Sequence, residues 1–186
     1  LKEPVTESTK KAARCFYALS QNRADRKRYP AVDPIDSYSK YLEYPEIIEY
    51  LNSRMDKDWV ASVNKAKNIT IRGKEAFEQI NILGDDGVPM EYHLQYWKSE
   101  LIDFIILQQD AFDTIDCNTP MERQKYMLEK VLEVCDKQVE FDNFEECTAY
   151  YKNIINIMRQ MNYSPFESEE FNKYLGQLNK IIENDN

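Results

Sequence analysis

Glycine and histidine are nearly missing from this chain. Four glycines in 186 residues cannot supply the Gly-rich loops that let a backbone close around phosphate. The sequence contains no G-x-x-x-x-G-K-S/T, no G-x-S-x-G and no H-E-x-x-H. One histidine, His93, and four scattered cysteines, Cys15, Cys117, Cys135 and Cys147, make no zinc set, since none forms a C-x-x-C pair. His93 therefore reads as a surface or core residue rather than a catalyst. No secretory pattern precedes the cysteines, so reduced thiols are expected. Long hydrophobic runs are also lacking. The most apolar stretch, Leu101-Ile102-Asp103-Phe104-Ile105-Ile106-Leu107, is too short to span a bilayer and carries an Asp. Direct membrane insertion is not expected. Carboxylates are plentiful, yet no pair stands out from the helix-face background. Taken alone, the residues present no complete active site. The opening Leu1-Lys2-Glu3-Pro4, without an initiator Met, reads as a piece of something longer.

Charge is present in quantity and is unevenly placed. The chain has 24 basic and 33 acidic residues, a formal net charge of −9 and a pI near 4.8. That balance argues against nucleic-acid binding, which needs a phosphate-neutralising surface. Residues 1–30 hold eight basic and three acidic residues, a net +5, which leaves −14 for the rest. The first segment is electrostatically a different object from the remainder, or else one solvated basic helix face.

Few breakers and 31% charged residues favour helix over sheet. Ala12, Cys15, Phe16 and Leu19 recur at helical spacing and predict a helix over 8–24. Pro30, Pro34 and Pro45 then impose an ordered loop over 28–45. Helices are predicted over 45–53, with Pro45 in the first turn, and over about 58–83, with Gly73 weakening the middle. Gly84-Asp85-Asp86-Gly87-Val88-Pro89 is a stop and turn. Leu94, Trp97, Leu101, Phe104 and Ile105 mark a helix over 90–109. Thr119-Pro120 with Glu122 reads as an N-cap and helix start. Two more helices follow, from near Asp142 and over 167–183, and the acidic end Glu183-Asn184-Asp185-Asn186 is expected to fray. A weak alternation at 68–72 suggests a strand fragment. The fold class is all-α, a bundle of six or seven helices.

Two segments are less ordinary. In Arg28-Tyr29-Pro30-Ala31, a Tyr held before Pro either presents a flat ring at low entropic cost or plugs the end of the bundle. In Gln108-Gln109-Asp110-Ala111-Phe112, the Phe sits where the chain leaves an apolar helix. It either lines a cleft or packs.

The same segments carry a resemblance. Glu3-Pro4-Val5-Thr6 is similar to S-E-P-V-T, Phe16-Tyr17-Ala18-Leu19 to F-W-A-L-D, and Arg28-Tyr29-Pro30-Ala31 with Ser37-Tyr38-Ser39 to R-H-F-P-A-I-N…S-Y-S. Leu107-Gln108-Gln109-Asp110-Ala111-Phe112 is similar to F-L-Q-Q-N-A-F. These belong, in this order, to the C-terminal part of the catalytic A subunit of V-type and A-type rotary ATPases, and they cover roughly residues 1–140. The stretch Tyr29-Pro30-Ala31-Val32-Asp33-Pro34-Ile35-Asp36-Ser37 resembles the related F-type beta subunit's Y-P-A-V-D-P-L-D-S even more closely.

The resemblance implies a division at 44. Residues 1–44 would be the end of an α/β nucleotide-binding domain with its adenine loop, and 45–186 the C-terminal helical domain. It implies that Tyr29 and Phe112 sandwich the adenine of ATP or ADP. It implies that the turn Asp85, Asp86, Gly87, Val88, Pro89, Met90 and Glu91 faces the central-stalk rotor. The implied intact subunit binds nucleotide with Mg²⁺ beside non-catalytic B subunits in a hexameric ring. It couples ATP hydrolysis or synthesis to H⁺ or Na⁺ transport, in the soluble cytoplasmic sector peripheral to the membrane. The phosphate-binding Lys, the Mg²⁺ ligands and the catalytic Glu are not in these residues, so the chain alone is expected to bind no cofactor tightly and to be inactive. The competing expectation, a stand-alone helical interaction module, is permitted by composition alone.

Overall fold

A computed structural model describes residues 3–184. It contains eight α-helices among the described residues and one two-stranded antiparallel ribbon. The chain opens with α1 (Pro4–Ala12), which starts on Pro4 and buries no residue. The predicted helix over 8–24 does not form. Cys15–Phe16 is instead a strand, β1, in register with β2 (Tyr38–Ser39). Leu19 bridges Val32 beyond it, and a five-residue helix, α2 (Gln21–Asp25), follows on a Ser20 cap. The cause is long-range pairing that outweighs local propensity. Ser20 N–H donates to the Ala31 carbonyl (2.9 Å) and Lys40 N–H to that of Arg14 (2.8 Å), and Phe16 stacks on Tyr38. The proline-rich loop is therefore the partner of the segment it follows.

From Pro45 onward the helical periodicity holds. Pro45 sits in the first turn of α3 (Pro45–Arg54), where a missing N–H costs nothing. Asn52 on α3 accepts from Val60 N–H (3.2 Å) at the start of α4 (Trp59–Leu83). The alternation at 68–72 lies inside α4 and forms no strand. Gly84 ends α4 with φ +80°, a left-handed value that favours glycine. A single tight turn, Asp85–Gly87, leads to α5 (Met90–Ile102). The predicted helix over 90–109 continues past α5, but as one wider π-turn over Asp103–Leu107. Gln108 N–H there reaches the Asp103 carbonyl at 2.9 Å, five residues back.

The helix α6 (Met121–Asp136) begins after Pro120 with no side-chain cap. The predicted Thr119 cap is not made, because its hydroxyl turns back to the Asp116 carbonyl (3.3 Å). Asn143 does cap α7 (Phe144–Tyr163), accepting from Glu146 N–H (2.9 Å). The last helix is α8 (Glu169–Asn184). The fraying expected at Asp185-Asn186 lies outside the described residues.

The core sits between α5, the π-turn, α6, α7 and α8. Leu101, Val131, Ile154, Met158, Met161 and Leu178 are fully buried there, each burial stabilising by about 1.5–3 kcal/mol. Helices α4 and α5 form a close hairpin. A Cβ at Gly73 would lie 2.0 Å from the Ser99 Cβ, so the predicted weak point is a place of close approach between the two helices. No helix among the described residues is long and apolar enough to cross a membrane.

Candidate functional site

The two segments singled out in the sequence meet. Gln109 N–H donates to the Tyr29 carbonyl at 3.0 Å, although eighty residues separate them. Around this contact opens a cleft of about 260 Å³. Tyr29, Phe104 and Phe112 line it, with Lys27 and Arg159 as its basic residues and Gln108 and Asp110 among its polar ones. Tyr29 keeps 55% and Phe112 98% of its surface exposed. Neither ring is plugging the bundle. The cleft is smaller than the roughly 300–1,000 Å³ of a pocket that engulfs a whole drug-sized ligand.

Aspartates build the loop that presents Phe112. The Asp110 carboxylate accepts from Phe112 N–H (2.9 Å). The Asp113 carboxylate accepts from Ile115 N–H (2.9 Å) and Asp116 N–H (2.8 Å). Asp116 Oδ2 accepts from Asp110 N–H (2.6 Å), and Gln109 Nε2 donates to the Asp116 carbonyl (2.7 Å). Short acidic side chains thus take the place of a helical or sheet ladder. Burial pushes the Asp116 carboxyl above its ordinary range, against the pull of the Asp110 amide and the Arg123 charge.

Behind the cleft lies a buried ionic cluster. Arg28 forks onto Glu100, with Nη1 to Oε1 at 2.8 Å and Nη2 to Oε2 at 2.6 Å. Its Nη1 also reaches Asp103 Oδ2 at 2.5 Å. Arg23 Nη1 takes the other Asp103 oxygen at 2.9 Å, and Arg26 approaches Glu100 at 3.7 Å. Burial alone would lower the Arg28 pKa, but the Glu100 hydrogen bonds and the charges of Glu100 and Asp103 together raise it. The Arg28 guanidinium also lies 5.0 Å from the Phe104 ring centre, and that of Arg159 lies 5.9 Å from it.

Sequence reasoning missed this cluster. No carboxylate pair stands out in the sequence, yet Glu100 and Asp103 sit one turn apart on the apolar face that continues into Leu101–Leu107. Two acids on a buried stripe were the available signal, and their partners lie more than seventy residues away.

The residues expected to face a rotor are placed elsewhere. Asp85, Asp86, Gly87, Pro89 and Glu91 are exposed, while Val88 and Met90 are half-buried. Ile82 and Leu83 beside them are also exposed. His93 is a core residue that fixes this turn. Its ring is buried, stacks on Phe144, and donates from Nε2 to the Asp85 carbonyl (2.9 Å). From the turn to the cleft runs one continuous helical rod, the 13 residues of α5 and the five of the π-turn. At 1.5 Å per residue that is about 27 Å. The turn and the cleft therefore occupy opposite ends of a single element.

All four cysteines are free thiols, two exposed and two buried. Burial pushes Cys135 up to about 12 and Cys147 up to about 11, which makes both inert. No group of three His, Cys, Asp or Glu among the described residues is arranged to hold a metal ion.

The helical bundle itself belongs to a known class. The family described as the C-terminal domain of V and A type ATP synthase matches residues 49–148, and the chain belongs to that family. Its relatives include the V-type ATP synthase alpha chain of Protochlamydia amoebophila, 33% identical over 97% of this chain and 30% of the relative. The corresponding chain of Chlamydia pneumoniae is 34% identical over the same shares. That of Borrelia duttonii is 31% identical over 97% of this chain and 29% of its own length. The chain thus spans about 30% of the length of these curated relatives. A solved structure described as a unique ATP synthase subunit NeqB from Nanoarcheaum equitans shares the fold. Its TM-score is 0.51 at 18% identity, over 74% of this chain and 32% of the other.

Proposed function

We propose that this chain is the C-terminal part of the catalytic subunit of a V/A-type rotary ATPase, and that its cleft holds the adenine of bound ATP or ADP between Tyr29 and Phe112. The observation that supports this most directly is the junction of the two segments through the Gln109–Tyr29 hydrogen bond, with both rings exposed on one cleft. Adenine is flat and binds aromatic faces by stacking. In this reading residues 1–44 finish the nucleotide domain and 45–186 form the helical domain. The groups that hold phosphate and Mg²⁺ belong to the further length of the subunit. Phosphoryl transfer is positioning and charge stabilisation around those groups, so the isolated chain hydrolyses no ATP.

The turn at Asp85–Glu91 meets the central stalk, at the far end of the rod from the adenine. Nucleotide binding at one end then biases the position of the other, which couples hydrolysis or synthesis to rotation and to H⁺ or Na⁺ transport. Non-catalytic B subunits complete the ring, and the assembly is peripheral to the membrane on the cytoplasmic side.

The test is made in the full-length subunit within its ring. Tyr29→Ala and Phe112→Ala should each weaken ATP binding about tenfold, the scale of one lost base-stacking contact. The melting temperature should not change, because both rings are exposed. Wild-type affinity in both variants would remove the adenine assignment.

A further inference from the structure

Tyr29 is an exposed ring on a loop, and something must hold it at a fixed distance from Phe112. We infer that Arg28 is the positioning residue that does so, and that both walls of the cleft are thereby carried on α5 and its π-turn. The inference rests on the adenine reading.

The connections form a closed circuit. From the Tyr29 backbone the chain passes one residue back to Arg28. The Arg28 guanidinium is bound to Glu100 and Asp103 through three hydrogen bonds of 2.5–2.8 Å. Asp103 begins the π-turn, whose end is closed by Gln108 N–H on the Asp103 carbonyl. Gln109 follows and donates back to the Tyr29 carbonyl. Phe112 stands three residues further on, held by the Asp110 carboxylate. From Tyr29 round to Gln109, every link but one is backbone or a backbone hydrogen bond. The exception is the Arg28 side chain, and it is the link a substitution can cut.

The surroundings make this link strong and specific. Arg28, Glu100, Asp103 and Arg23 each keep about a tenth of their side-chain surface exposed, so water competes weakly for their hydrogen bonds. The guanidinium is planar and forked, and it spans both acids at once. A lysine ammonium is a point donor and cannot reproduce that span. Phe104, a wall of the cleft, packs on the same guanidinium. Arg23 and Arg26 balance the second valences of the acids but lie further from Tyr29 in sequence, so they brace the cluster without setting the ring.

The experiment uses the full-length subunit in its ring and two probes, MgATP and inorganic tripolyphosphate, titrated calorimetrically. The tripolyphosphate carries no base and reports on the phosphate site alone. Variants are Arg28→Lys, Glu100→Gln, Tyr29→Ala and the Arg28→Lys/Tyr29→Ala double. Glu100→Gln keeps side-chain size and one acceptor, and it serves if Arg28→Lys does not fold. Either variant should weaken ATP about fivefold to tenfold, within the range of one base-stacking contact, and leave tripolyphosphate unchanged. In the Tyr29→Ala background, Arg28→Lys should add no further loss, because the ring it positions is gone. Wild-type ATP affinity in both Arg28→Lys and Glu100→Gln, with a loss in Tyr29→Ala, overturns the inference and leaves the adenine reading standing. Equal losses for both probes, or a double variant that loses the sum of the single losses, also overturn it. An unchanged Tyr29→Ala overturns the adenine reading itself.

Discussion

A carboxylate that keeps 7% of its surface, as Asp116 does, gives up most of its hydration when the chain folds. Burial raises its pKa above the unfolded value, with Asp110 and Arg123 pulling the other way. Below the unfolded pKa of about 3.9 both states are protonated and the group is neutral to stability. Between that value and the higher folded one, the folded state binds more protons. Stability therefore falls as pH rises through this window, and the penalty is complete above it. Asp116→Asn keeps an acceptor for the Asp110 amide. It should be at least as stable as the wild type at pH 7, with the advantage shrinking as pH falls toward 4. Urea midpoints at pH 7 and pH 4 measure this, and a pH-independent difference would contradict it. Tyr29 and Phe112 could be picked out from sequence because an aromatic before Pro, or just past a helix, is locally odd. Asp116, Arg28 and Glu100 could not. Arg28 and Glu100 meet only because the fold brings them together; the partners of Asp116 are local, and its burial is what leaves no mark in the sequence.

The α4–α5 hairpin makes its own demand at Gly73. Ala is the better helix former by about 1 kcal/mol, so propensity predicts that Gly73→Ala stabilises. Packing predicts the reverse. The added Cβ would lie 2.0 Å from the Ser99 Cβ and 3.0 Å from the Gln95 carbonyl oxygen, and overpacking of this kind costs about 1–3 kcal/mol. Denaturant unfolding should show Gly73→Ala less stable, with Ser99→Gly restoring part of the loss. A stabilised Gly73→Ala would mean the hairpin can open without cost. The same contrast explains which elements the sequence revealed. Helices α3, α4, α7 and α8, and α5 taken together with its π-turn, carry regular apolar stripes or clear stops, and their limits fall within a few residues of expectation. Cys15–Phe16 follows the same periodicity and is a strand, because it pairs with Tyr38–Ser39, beyond the proline-rich loop. Periodicity reports which face is apolar, and it is blind to where the backbone finds its partners. The widening at Asp103–Leu107 is hidden for a similar reason, since one extra residue in a turn leaves no mark in composition.

Over the whole molecule, the basic beginning and the acidic remainder meet at the Arg23, Arg26 and Arg28 cluster. That seam makes the first 44 residues unequal. Helix α1 buries nothing, whereas α2 and Arg28 are tied into the bundle. Hydrogen exchange should show the amides of 23–28 protected at least about tenfold more than those of α1, since local opening there requires breaking the buried cluster. Equal exchange would mean that the segment is docked only loosely. The cluster also bears on how such a sequence can change over time. Removing Arg28, Glu100 or Asp103 leaves its buried partner without a counter-charge, at a cost of about 3–5 kcal/mol, whereas Arg26 at the rim is more exposed and more loosely paired. A neutral path to another arrangement must alter both sides together. Descent at Arg28, Glu100 and Asp103 is therefore expected to be correlated. Homologous sequences should show them exchanged as a set, while the side chains of α1, which buries no residue, can change one at a time.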